Sequence, residues 1–207
     1  FAGAHPRESA TLPQTKLTVT PTASRYEFAG AGIQLNLTFL TPAIASDLDL
    51  TSRPLTYIQF EVRSADGAQH AVQLEFDASA QLAVNKPDQR VNVSRYQLPG
   101  VNTLRASAAE PKMLERAGDD LRIEWGSLFL AVPQTEAGAT LRLISGDGRD
   151  AFLRDGALPA GDLIDQEGRA EYNVPLLAVA YDLGKVGSTA ERRLAMLAYD
   201  DVFSIEY

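Results

Sequence analysis

The chain of 207 residues contains no cysteine, a single tryptophan and two histidines. Without cysteine it can form no disulfide, no thiolate metal site and no cysteine nucleophile. This does not settle the compartment, since exported bacterial proteins often lack cysteine as well. His5 lies in the opening segment and His70 beside a turn, neither near a serine or a second ligand at a recognisable spacing. A His-based triad and a zinc site are therefore not expected. No apolar run approaches the ~18–20 residues of a membrane span, and no basic segment leads into an apolar one as in a signal peptide. The 19 basic residues are outnumbered by 27 acidic ones, for a net charge of −8. They are scattered and not interleaved with aromatics, so neither nucleic acid nor an anionic membrane is an expected partner. A phosphate cradle is missing too, because Gly30-Ala-Gly32 is followed by a strand pattern and not by a helix.

What remains is a globular composition, 45% hydrophobic. A chain this long should bury roughly 70% of its unfolded surface and needs no cross-links to fold. Its patterning is β. Residues 1–15, with Pro6 and Pro13, read as a lead-in segment, and residues 16–207 as one β-sandwich domain. Ile33-Gln-Leu-Asn-Leu-Thr-Phe39 alternates apolar and polar residues, as a half-buried antiparallel strand does. Asp66-Gly67 between two alternating runs is a hairpin signal. Further short strands are expected at 80–84, 90–93, 121–125, 127–132 and 139–144, with a polar separator at 97–110 and an irregular stretch at 151–169. Residues 176–183, the most hydrophobic run, lie between Pro175 and Gly184 and fit a central strand. Residues 188–198 carry the one helical pattern, with Ser188 or Thr189 as N-cap and Glu191 in the first turn. About ten short strands with turns between them predict a large antiparallel β-sandwich with one short helix near the C-terminus.

Acidic pairs stand at Asp47/Asp49, Asp119/Asp120, Asp147/Asp150 and Asp200/Asp201. Two carboxylates can serve acid/base hydrolysis when the fold holds them at the right separation. Turn and cap roles account for the same residues. Asp147 to Asp155 lacks the spacing and closing Glu of an EF-hand, so no metal site is expected. Trp125 is either a core or interdomain anchor or a sugar-stacking platform. Residues 194–207 grow more apolar and aromatic towards Tyr207, where termini are usually polar. With Phe1 at the other end, this leads us to expect one domain of a longer protein whose signal peptide or upstream segment is absent.

Three stretches are less generic. They are residues 37–57 (Leu37-Thr-Phe-Leu-Thr-Pro onward), Gly118-Asp-Asp-Leu-Arg-Ile-Glu-Trp-Gly126, and Leu197-Ala-Tyr-Asp-Asp-Val-Phe-Ser-Ile-Glu-Tyr207. In this order they resemble the N-terminal β domain of the glutaminase A family, over roughly residues 16–207. The resemblance implies an exported enzyme, secreted or periplasmic, in which a β-sandwich precedes a helical domain like the α/α barrels of glycoside hydrolases. The full enzyme would convert L-glutamine to glutamate and ammonia. On this reading the chain holds no catalytic residue and no cofactor, and its partner is the helical domain. Asp47, Asp49, Arg53, Asp119, Asp120, Trp125, Asp200 and Asp201 are the expected cleft-facing or interdomain residues, with Arg53 paired to one of the loop carboxylates. A face left bare by separation from that domain would favour self-association. The alternative is a carbohydrate-binding or glycosidase-associated sandwich module.

Overall fold

The computed structural model describes residues 10–113, 122–162, 167–169 and 174–201. The described elements begin with β1 (Gln14–Val19), β2 (Ala23–Gly30), β3 (Ile33–Leu40), the short helix α1 (Leu48–Thr51), β4 (Leu55–Ser64) and β5 (His70–Ser79). A 3₁₀ turn (Ala80–Ala83), β6 (Arg90–Leu98), β7 (Val101–Ala108), β8 (Ser127–Pro133) and β9 (Ala139–Ile144) come next. The remainder is α2 (Gly146–Asp155), β10 (Glu167–Arg169), β11 (Leu176–Val186) and β12 (Glu191–Asp200). Nine strands form one sheet in the order β1-β2-β3-β4-β12-β8-β7-β6-β10, and three form a second, β5-β11-β9. The fold is the expected all-β sandwich.

Alternation decides what is buried between the sheets. Ile58, Phe60 and Val62 of β4, Leu104 and Ala106 of β7, and Leu128, Leu130 and Val132 of β8 face inward from the large sheet. Leu177, Val179 and Tyr181 of β11, with Leu141 and Leu143 of β9, meet them from the small one. The small sheet is too narrow to cover all nine strands. All six residues of β1 are exposed, and Leu17 and Val19 on its inward side remain 45% and 66% accessible.

Several local expectations are corrected. Residues 191–200 form β12, not a helix, inserted between β4 and β8. Glu, Arg, Leu, Ala and Met favour helix intrinsically, but tertiary packing overrides so weak a preference. Here Ala195 fills the core and the backbone completes two ladders. The Asp66-Gly67 turn does not close a hairpin. Its flanking strands belong to different sheets, so the turn is a corner between layers. Asp66 shapes it, its Oδ1 accepting from Ser64 Oγ at 3.0 Å and from the Ala68 amide at 2.9 Å, with His70 Nε2 at 2.9 Å. Residues 80–83 are a 3₁₀ turn instead of a strand, with the Ser79 hydroxyl accepting from the Gln81 amide. The irregular 151–169 begins with the second half of α2, which ends on Gly156 in the left-handed region. The polar separator at 97–110 contains β7, whose Leu104 and Ala106 are fully buried. Residues 122–124 form no strand.

Candidate functional site

The register brings the sequence-predicted residues to one rim of the large sheet. Leu40 at the end of β3 lies opposite Tyr57 near the start of β4, and Leu55 opposite Ala198 near the end of β12. Asp200 then faces Ser127 at the start of β8, which faces Ser107 near the end of β7. The 41–54 connection, the approach to β8 and the end of β12 therefore share this rim.

Asp47 caps α1, its Oδ1 accepting from the Leu50 amide at 2.9 Å. Asp49 sits in the first turn, and its carbonyl accepts from Ser52 Oγ at 3.2 Å. Arg53 is exposed and pairs with neither Asp47 nor Asp49; Asp119 and Asp120 lie outside the described residues. Trp125 is half-buried just before β8, Asp200 is exposed and Asp201 half-buried. Tyr199 ties these together. Its hydroxyl accepts from the Gly126 amide at 3.1 Å and donates to the Ile123 carbonyl at 2.8 Å. Its own amide donates to the Pro54 carbonyl at 3.3 Å, joining β12 to the 41–54 connection. Gly126 is required there, since a Cβ would lie 2.6 Å from the Tyr199 ring and 2.7 Å from the Asp200 carbonyl oxygen. Burial raises the Tyr199 hydroxyl above its usual range, which keeps it neutral and able to donate.

Sequence reasoning missed Glu124, which reads there as an ordinary outward position of an expected strand. It is 2% exposed. Its Oε2 accepts from Gln89 Nε2 at 2.6 Å, while Gln89 Oε1 accepts from the Lys86 amide at 2.6 Å. Among the described residues Glu124 Oε1 is buried without a hydrogen-bond partner. Gln89 also lines a neighbouring hollow of about 310 Å³ on the same rim, with Lys86, Arg90, Glu110 and Lys112. This is polar, charge-mixed surface around one dehydrated carboxylate.

A second polar centre lies on the outer face of the large sheet, in a trough of about 410 Å³ between β2 and β12. Cross-strand neighbours Glu27, Asn36, Glu61 and Arg192 run across it as a ladder. Asn36 Nδ2 donates to Glu61 Oε1 at 3.2 Å and Arg192 Nε to Glu61 Oε2 at 2.8 Å. The Arg192 bond holds the Glu61 carboxyl below its usual range. A third cluster fixes α2 to the small sheet. Arg149 donates to both oxygens of Asp77, at 2.7 and 2.6 Å, beside Glu75 on the same strand face. Among the described residues no three His, Asp or Glu side chains gather as a metal site.

The chain is similar over 192 residues to Glutaminase A of Aspergillus oryzae, at 27% identity. The match takes in 92% of this chain and 27% of that protein, so the chain spans about a quarter of its relative's length. This agrees with the resemblance carried by the three motif stretches. Among solved structures, heparan sulfate lyase HepC from Pedobacter heparinus aligns over 91% of this chain and 22% of its own, with 7% identity and a TM-score of 0.46. A HepC mutant gives the same coverage and identity with a TM-score of 0.45. Residues 22–207, nearly the whole sandwich, match the family described as Domain of unknown function (DUF5127), and the chain belongs to that family.

Proposed function

We propose that this chain is the N-terminal β-sandwich part of a larger, exported amidohydrolase of glutaminase A type. In that enzyme the sandwich packs on a helical catalytic domain and shapes one wall of its cleft, while the whole polypeptide releases ammonia from L-glutamine. The observation that carries the reading is the similarity to Glutaminase A along 92% of this chain. The rim supports the scaffolding role. Its carboxylates are engaged locally, Asp47 in a helix cap and Glu124 with Gln89, and Tyr199 makes the rim rigid where β12 leaves the sheet. Asp47, Asp49, Arg53, Trp125, Asp200 and Asp201 are the residues placed to meet the second domain or line its cleft.

Ammonia release from L-glutamine tests this, measured on the 207-residue chain beside a version extended through the following domain. Activity is expected only in the longer protein. Turnover by the short chain would place catalysis within the sandwich, and silence from both would remove glutamine as the substrate.

A further inference from the structure

The outer face of the nine-stranded sheet is unusual for a surface left to water. In an antiparallel sandwich such a face is normally polar. Here alternation and register put Tyr57 of β4, Met196 of β12, Phe129 of β8, and Tyr96 and Leu98 of β6 on that side. Tyr96 and Leu98 are 42% and 41% exposed. The Tyr96 ring stands edge-on to Phe129 at 5.5 Å, with the Arg105 guanidinium 5.7 Å from its centroid. None of these side chains belongs to either hydrophobic cluster of the described residues. At roughly 4.8 Å between strands, the patch crosses five strands.

The charge on this face is also anomalous. The chain carries −8 overall, yet towards β1 the same side of the sheet presents Lys16, Arg25, Arg63 and Arg192 against Glu27 and Glu61. Large apolar patches rimmed by polar residues mark interaction sites. The surface that fits this one is apolar opposite the rings and bears carboxylates opposite the guanidinium groups.

We infer that the outer face of the large sheet is the seat of a further domain of the same polypeptide, held apolar-to-apolar over Tyr57, Tyr96, Phe129 and Met196. The inference rests on the proposed function, which requires such a domain. Two facts select it as the occupant. The relative extends far beyond the matched segment, which is 27% of its length. Moreover β12, a central strand of this face, carries Asp200 and Asp201 to the rim, so a domain joined there would start at the border of the patch.

Hydroxyl-radical footprinting read by mass spectrometry tests the surface, because Met, Tyr and Phe side chains are readily oxidised when wet. The isolated chain at high dilution is compared with the longer polypeptide. Labelling of Tyr57, Tyr96, Phe129 and Met196 is expected to fall severalfold in the longer form. Tyr26 and Val19, on the inward overhang of β1 and β2, should label alike in both. A Met196→Lys variant of the longer form should regain labelling at Tyr57 and Phe129, and its urea midpoint as an isolated chain shows that it still folds. Unchanged labelling of the outer face, or a fall confined to Tyr26 and Val19, would overturn the inference. Equal protection in the isolated chain would make a second copy the occupant and overturn it too. Ammonia release assayed on the same samples separates the two claims. Protection without turnover sinks the glutaminase reading and leaves the surface standing, and turnover without protection does the reverse.

Discussion

Burial pushes the Glu75 carboxyl up to about 9, the Asp77 carboxylate adds to the shift, and Arg149 opposes it. The sequence shows Glu75 and Asp77 as an i, i+2 pair on one strand face. It does not show that α2 lies over them, because residues 151–169, which include the second half of α2, read as an irregular stretch. Only the fold buries these two acidic side chains together, with the Arg149 guanidinium bound to Asp77. In the unfolded chain Glu75 titrates near its ordinary 4.5, so between there and about 9 the folded protein keeps a proton that the unfolded one has released. The stability this proton confers is complete below 4.5 and is lost as pH rises through about 9. The slope approaches ~1.4 kcal/mol per pH unit within the window. Glu75→Gln mimics the protonated side chain and should flatten that dependence, raising stability at the alkaline side while changing little at the acid side. Urea midpoints of both proteins across the window decide it, and parallel pH profiles would refute the assignment. Of the candidate rim residues, Asp47 and Asp49 take the turn and cap roles their sequence allows, Asp47 as the N-cap of α1 and Asp49 in its first turn. Glu124 left no trace in the sequence, since its burial comes from distant partners such as Gln89.

At the scale of elements, what could be read was local and what could not was distant. The turn between β2 and β3 closes on Ala31 and Gly32, both at positive φ, 50° and 77°, the type I′ geometry of a two-residue hairpin, and only Gly32 is a residue that favours that region. The Asp66-Gly67 turn carries the same kind of sequence yet joins two layers, and nothing within it says which sheet the next strand enters. The identity of β12 was hidden for a related reason. Arg192, Leu194, Met196 and Ala198 point outward and Arg193, Ala195 and Leu197 inward, so both faces are partly apolar and the two-residue period is blurred. Among the described residues, part of this strand also lacks a partner on its β8 side. Its pairing with β8 reaches only Met196 opposite Ala131, and side chains satisfy the backbone beyond. Leu194 N–H donates to Glu136 Oε1 at 3.1 Å, and the fully buried Tyr181 of β11 donates its hydroxyl to the Leu194 carbonyl at 2.9 Å. That second bond joins the two sheets. Tyr181→Phe keeps the ring in the core but strips the carbonyl of its donor, and should cost about 1–2 kcal/mol. A urea midpoint within error of the wild type would mean that the bond does not contribute.

For the whole molecule, the decisive contacts join residues far apart in sequence. Residues 191–198 pair with 55–62, and residues 176–186 with 70–79. Such pairings fold slowly, because long loops must close before any contact forms. They also make the two ends of the chain unequal. β1 lies at the edge of the large sheet with every residue exposed, whereas β12 is enclosed between β4 and β8. Removing β12 would divide the nine-stranded sheet into a four-stranded and a four-stranded part and open the core around Ala195. It would also leave the ladder edges of β4 and β8 unpaired inside the protein, where each lost partner costs about 1–3 kcal/mol. A chain deleted for residues 1–19 should therefore keep a cooperative urea transition, with a midpoint lowered only by the loss of one edge ladder. A chain deleted for residues 187–207, of nearly the same length, should show no cooperative transition at all. Circular dichroism and near-ultraviolet signals followed through both titrations provide the test. Cooperative unfolding of the second truncation would show that the two halves of the sheet are stable separately and that β12 is an addition to the core, not its keystone.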